Sequence, residues 1–283
     1  MRYELHCHSA YSKGKKIPCE STSRPQDMAR ALHRKGFGGF ALTDHNTTAG
    51  WKEAEKESLR LGLVFVHGME ISTGSGHVIG LGIHKGVRSG LSLEETLESI
   101  RAQDGIAIAP HPFDLREEGI GRLIRHVDAV EVFNSLNLTR FENRTARSEA
   151  RRLGKPVVVG SDAHSLEMLG MSTNWIEAGD EDSVIAAIRK GDVRIEGRYV
   201  PIPVVVAWVR ERMSISRDFM LEYIDDNYSL PKAVLARFVL KGFIGSRSRF
   251  WDCLGAFAIA MSTAYSAARL AKSSEKKFPS QLS

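Results

Sequence analysis

Apolar and polar positions divide the 283-residue chain into two regimes. Through about residue 203, short β-branched runs alternate with longer amphipathic stretches. The runs predict strands at Tyr3–His8, Gly39–Thr43, Leu63–Ile71, His77–Ile83, Gly105–Ala109, Ala129–Phe133, Val157–Val159 and Trp175–Ala178. The stretches predict helices at Pro25–Lys35, Thr48–Leu61, Ser92–Gln103, Thr139–Leu153 and Asp182–Lys190. Ser23 reads as the N-cap of the first, and Gly36, Gly62, Gly105, Gly154 and Gly191 as left-handed stops. Strands alternating with helices point to a parallel α/β sheet or barrel. After Pro201-Ile202-Pro203 every signal is helical, over Arg217–Asp226, Leu230–Gly242 and Arg249–Lys272. In the last of these, Trp251, Leu254, Ala258, Met261, Tyr265 and Ala268 form a seam for packing against another helix. The expected organisation is an α/β unit over 1–203 and a helical extension over 204–283.

Composition narrows the class. An apolar content of 42% with 26% charged residues excludes intrinsic disorder. Three Cys without a CxxC exclude a disulfide framework. The first residues lack the apolar core of a signal peptide, so a cytoplasmic setting is the expectation. The formal charge of +5 is carried wholly by residues 204–283, with 12 Lys+Arg and 7 Asp+Glu. The first 203 residues balance, so that unit is not a nucleic-acid-coating domain. Between Asp252 and Arg269 lie 16 uncharged residues, fewer than the ~20 that span a bilayer. Integral membrane insertion is therefore not expected. Packing of the extension on the barrel or on a second copy, as a homo-oligomer, is the first expectation, with peripheral membrane contact as the alternative.

The ten His all lie at or before His164, as a His-built site in the first unit would require. Ligand-type residues recur at strand ends: His6-Cys7-His8, Thr43-Asp44-His45, Gly68-Met69-Glu70, His77, Pro110-His111-Pro112, Phe133-Asn134 and Ser161-Asp162-Ala163-His164. In a strand, i and i+2 face one side, so His6 and His8 can bind one ion while Cys7 points into the wall. In α/β barrels the active site gathers at the C-terminal strand ends. A lone HxH or DxH is usually a structural pair. The ordered recurrence is the signal, because burying so many titratable groups without a cation is costly. His33, His67, His84 and His126 read as surface or locally bonded.

Taken together, these motifs resemble the PHP (polymerase and histidinol phosphatase) superfamily, from about Met1 to Gly197. They read His6-Cys7-His8-Ser9, Thr43-Asp44-His45-Asn46-Thr47, Gly68-Met69-Glu70-Ile71-Ser72, Gly76-His77-Val78, Ala109-Pro110-His111-Pro112 and Gly160-Ser161-Asp162-Ala163-His164. The resemblance implies an α/β fold, a distorted (β/α)7 TIM-like barrel, here followed by an all-helical C-terminal extension. It implies two or three divalent ions (zinc, manganese or iron). His6, His8, Glu70 and Asp162 would hold one; Glu70 would bridge to a second, held by His77 and His111; His45 and His164 would serve a third. Lys13 stands where the family has an acid or His. Glu20 or Cys19 could substitute, or the Lys13 ammonium could bind phosphate.

The catalytic groups so implied are Asp44, His45, Asp162 and His164, with Asp44 orienting His45 or accepting a proton. Lys13, Ser9, Asn134 and Arg116 are the substrate-phosphate candidates, although Arg116 reads equally as a solvated residue beside Glu117 and Glu118. Two nearby cations acidify a water between them and clamp phosphoryl oxygens. The implied function is a stand-alone phosphoesterase acting on small phosphomonoesters, nucleotides in particular. Alternatives are an exonuclease on short single-stranded oligonucleotides, a histidinol-phosphate-type phosphatase, and a non-catalytic metal-stabilised module. The intact ligands of the first two sites weigh against the last.

Overall fold

The computed structural model describes residues 1–12, 17–114, 116 and 118–275. Its elements run β1 (Arg2–Glu4), α1 (Pro25–Arg34), β2 (Gly39–Leu42), α2 (Trp51–Leu61), β3 (Val64–Thr73), β4 (Gly76–Leu81), α3 (Leu93–Arg101), β5 (Ile106–Ala109), β6 (Ala129–Asn134), α4 (Arg140–Arg152), β7 (Val157–Gly160), β8 (Ser172–Trp175), α5 (Glu181–Lys190) and β9 (Arg194–Gly197). Four helices follow: α6 (Ile202–Ile215), α7 (Arg217–Asn227), α8 (Leu230–Gly245) and α9 (Phe250–Glu275).

The strands form one sheet in the order β7-β6-β5-β4-β3-β2-β1-β8-β9. β1–β2–β3 and β5–β6–β7 are parallel sets, while β4 runs antiparallel to both neighbours. The sheet curls into a nearly closed TIM-like barrel. Past β1 and β7, Cys7 bridges Ala163, Asp162 N–H donates to the His6 carbonyl at 2.9 Å, and His8 N–H donates to the Ala163 carbonyl at 2.9 Å. The buried Asn174 side chain ties β8 to β7, donating to the Val159 carbonyl at 2.7 Å and accepting from Val159 N–H at 3.0 Å.

Local sequence accounts for most boundaries. Ser92 and Glu95 form a reciprocal capping box on α3, and Asp180 with Ser183 does the same for α5. Several details differ from the sequence expectation, and Gly105 is one of them, since the left-handed residue after α3 is Asp104, with φ of 60°. The predicted Trp175–Ala178 strand lies earlier, at Ser172–Trp175, because pairing with β1 and β9 sets its register. β9 was not signalled, since its Arg194-Ile195-Glu196-Gly197 run has little apolar content. Ser23 does not cap α1: Arg24 occupies the N-cap, and the Ser23 hydroxyl is buried without a hydrogen bond.

The extension meets the barrel through α6, whose Trp208 packs among Met28, Leu32 and Ala163. α9 crosses α6 at Gly255, where a Cβ would crowd Val206. The expected seam on α9 is only partly used: Trp251 stacks edge-on with Phe243 at 4.9 Å, but Leu254, Met261 and Tyr265 are exposed. Among the described residues, no helix is long and apolar enough to cross a membrane.

Candidate metal centre

The paired extensions of β1 and β7 lay His6, His8 and Asp162 side by side. His6 and His8 face one way. Cys7 faces the other, buried in an apolar cluster with its thiol donating to the Ala41 carbonyl. Glu70 comes from β3 and is fully buried. Its Oε2 lies 3.4 Å from His6 Nε2, 3.3 Å from His8 Nε2 and 3.3 Å from His45 Nδ1. Its Oε1 lies 2.9 Å from His77 Nδ1 and 3.0 Å from His111 Nε2. One carboxylate therefore stands between five imidazoles. Asp162 Oδ1 closes the His6–His8 side at 3.5 and 3.2 Å. His164 stacks on His8 with ring centroids 4.5 Å apart.

These residues fit divalent ions. Among the described residues, four sets of three donors have ligand atoms within 4.8 Å of one another: His6, His8, Glu70; His6, His111, Asp162; His45, Glu70, His77; and His8, His45, His164. In the first set the separations are 3.2, 3.3 and 3.4 Å. A tetrahedral ion with bonds of about 2.0–2.1 Å spaces its ligands by roughly 3.3–3.4 Å. His77 and His111 are buried, yet neither His77 nitrogen has hydrogen-bond geometry and His111 Nδ1 has no partner. Orphaned buried nitrogens cost free energy that a cation would offset.

The electrostatics agree. Burial alone would raise Glu70 and Asp162, but the surrounding histidines hold both well below the usual carboxylate range. Burial opposes charge on His8 as well, but Asp162 and Glu70 push it up to about 10. Burial lowers His45 to about 3, and burial with the His8 charge lowers His164 to about 4. Both rings are thus neutral in neutral solution, with a lone pair to offer. His111 and Asp162 have φ of 27° and 52°. Side chains rarely tolerate that left-handed region unless the surroundings enforce it.

Several expected groups lie elsewhere than the sequence suggested. Asp44 does not hold the His45 ring; its carboxylate accepts from Ser9 N–H and the Ser9 hydroxyl, the latter at 2.6 Å. Ser9 is consequently buried and turned from the cavity, because its hydroxyl bonds Asp44. Asn134 is buried too, donating to Glu131 at 2.9 Å and Asp162 at 3.3 Å, so it supports the cluster from beneath. Lys13 lies outside the described residues. Cys19 turns its thiol to the Ser21 carbonyl. Glu20 reaches the rim, 3.7 Å from His45 Nε2. Arg116 lines a cavity of about 320 Å³ above the cluster, along with His45, His77, His111, Asp162 and His164. His67 bonds Glu181 away from the site.

Three further residues contribute that the motif pattern does not single out. Glu131 accepts from His6 Nδ1 at 2.8 Å and from His111 N–H at 2.7 Å. Glu4 accepts from the N–H groups of Ser161 and Gly170, and burial raises its pKa to about 7. A Glu inside an apolar strand was the available signal for both. Arg212, from α6, lines the cavity and donates to the Cys19 carbonyl at 2.7 Å. Nothing in the helical sequence marked it.

A barrel rim gathering six imidazoles and two carboxylates defines a metal-dependent hydrolase. The chain belongs to the PHP domain family: the PHP domain matches residues 4–143 and the PHP-associated family residues 140–193. As a member of that family it is a phosphoesterase. It is 39% identical over 153 residues to an uncharacterized Methanocaldococcus jannaschii protein, covering 52% of this chain and 89% of that one. It is 39% identical over 84 residues to the 3′,5′-nucleoside bisphosphate phosphatase of Chromobacterium violaceum, covering 28% and 27%. A solved two-domain Bacteroides vulgatus protein containing a predicted PHP-like metal-dependent phosphoesterase superposes with a TM-score of 0.59 at 12% identity, over 70% of this chain and 65% of that one. The last likeness is one of fold.

Proposed function

We propose that the cavity hydrolyses small phosphomonoesters, nucleotides in particular. The observation that carries this reading is Glu70, whose two oxygens face separate groups of imidazoles. His6, His8, Glu70 and Asp162 would hold one cation; Glu70, His77 and His111 a second; His45 and His164, with Glu20 nearby, a third. Bound there, the cations supply an acidified water and charge to neutralise phosphoryl oxygens.

The chain's own groups do the rest. Glu131 accepts a hydrogen bond from His6 Nδ1–H, so that Nε2 faces the cluster with its lone pair. The Asp162 carbonyl accepts a hydrogen bond from His164 Nδ1–H at 2.7 Å, so that Nε2 carries the lone pair. With no third cation there, the neutral His164 Nε2 would instead be free to accept the proton of the attacking water. Arg116 and Arg212 line the cavity and would bind the substrate anion. A volume of about 320 Å³ suits a phosphoryl group with a small ester better than a folded polynucleotide. The proposed catalytic unit is residues 1–203, and α6 of the 204–283 extension adds Arg212.

The test is a panel of phosphomonoesters, nucleoside bisphosphates and short oligonucleotides, assayed with zinc, manganese or iron. His6→Ala and Asp162→Ala should each abolish hydrolysis. Full activity in both would sink the proposal. Processive release of mononucleotides from oligomers, with no phosphomonoester turnover, would replace it with the exonuclease reading.

A further inference from the structure

We propose that α8 and α9 seat this protein on an anionic phospholipid bilayer, lying on its surface. The observation is a concentration of exposed apolar side chains. Among the described residues, 18 large hydrophobic side chains are exposed, and 14 of them lie between Ile215 and Tyr265. On α8 they are Leu230, Val234, Leu235, Phe238 and Val239, with Leu230 at 82% and Phe238 at 75% exposure. On α9 they are Phe250, Leu254, Phe257, Met261 and Tyr265, a stripe recurring every three or four residues. An apolar surface of this extent marks an interaction site on a water-borne protein.

The fold does not need this face. α8 is anchored by Ala233 and Leu240, which bury beside Ile224 against Met213 and Met220. α9 is anchored by Gly255 on Val206 and by Trp251 on Phe243. Between the helices runs an apolar groove of about 1180 Å³, and Leu235, Val239 and Leu254 open onto it from both sides. Lys232 lines the same groove, where an ammonium could meet a headgroup phosphate beside walls that accept acyl chain.

Charge selects the occupant. From Asn227 to Trp251 there are five basic residues and no acidic one. Arg237 pairs with Asp225 on α7, whereas Lys232, Lys241, Arg247 and Arg249 have no ion pair among the described residues. A helix with exposed Leu and Phe beside unpaired Lys and Arg, and not long and apolar enough to cross a bilayer, has the character of an interfacial element. A second copy is the poorer fit. A two-fold interface sets a patch against itself, and this patch would meet its own positive charge.

The experiment is flotation of the full-length protein with vesicles of phosphatidylcholine, alone or mixed with phosphatidylglycerol. The protein should float with the mixed vesicles, and bind pure phosphatidylcholine or mixed vesicles at about 0.5 M salt at least tenfold more weakly. Each basic residue near an anionic surface strengthens binding by roughly fivefold. The Lys232→Glu, Lys241→Glu, Arg249→Glu triple variant should therefore lose more than tenfold. Phe238→Asp should also reduce flotation. Both variants alter exposed positions outside the cavity, so their circular dichroism and phosphatase activity should match the parent. Failure to float with mixed vesicles, or flotation indifferent to charge reversal, overturns the proposal. Light scattering that shows a dimer dispersed by Phe238→Asp, with no flotation, would assign the face to a second copy.

Discussion

Glu131 Oε1 accepts a hydrogen bond from His6 Nδ1 at 2.8 Å, and this one contact decides which nitrogen of His6 faces Glu70 and His8. Its other oxygen accepts from His111 N–H and Asn134 Nδ2. Glu131→Gln can satisfy only some of these donors, since its amide would oppose another N–H. We expect about 10–100-fold weaker metal binding, the usual cost of losing such a support. Metal titration followed by elemental analysis checks it. Removing the metal from the parent protein with a chelator should lower the melting temperature, because a ligand bound only by the folded state stabilises it by about 3 kcal/mol at 100 times its Kd. An unchanged melting temperature would count against a resident metal.

Gly160 leads from β7 into Ser161-Asp162. A Cβ there would overlap Glu131 Oε1 and the His6 Cβ. Gly160→Ala should therefore displace His6, a proposed metal ligand, and its support Glu131 without altering either residue. The expected cost is about 1–3 kcal/mol of stability, with loss of bound metal. A variant that keeps both its melting temperature and its metal content would show that the site tolerates this overlap.

Arg212 tests whether the helical extension contributes to the cavity. Arg212→Ala should raise KM for an anionic substrate by roughly tenfold, the loss of about 1.4 kcal/mol of binding, with a smaller change in kcat. The guanidinium also donates to the Cys19 carbonyl, so Arg212→Lys serves as a partial rescue. Equal kinetics in all three proteins would place Arg212 outside substrate binding.

His67 and Glu181 supply a pH-dependent link between β3 and α5. Burial opposes charge on His67, but its hydrogen bond to Glu181 at 3.0 Å prevails and its pKa is raised above 6.5. The stabilisation is thus complete below the unfolded value of 6.5 and fades as pH rises through the folded pKa. Glu181→Gln should cost about 1 kcal/mol more at about pH 5.5 than at about pH 9. A residual, pH-independent loss belongs to the bond from His67 N–H to Glu181. Parallel melting curves at the two pH values would refute the charged pairing.

What was legible in the sequence was local. Alternation gives β1 to β7, capping residues such as Ser92 mark helix starts, and the i, i+2 spacing of His6 and His8 puts both imidazoles on one side of a strand. The recurrence of ligand types at strand ends then named the rim. What only the tertiary structure decided depends on partners distant in the chain. Asp44 bonds Ser9 instead of the His45 ring because the β1 and β2 loops meet there. Glu131 could not be assigned from its strand, since its partner His6 is 125 residues away. Arg212 reaches the cavity only because Trp208 packs α6 against the rim, with its indole donating to the Glu20 carbonyl. Periodicity reports which face of an element is apolar. It does not report what that face meets, and for α9 it left open whether the stripe meets a helix or solvent. Hydrogen-bond partners and burial are properties of the assembled barrel, so they were settled by folding alone.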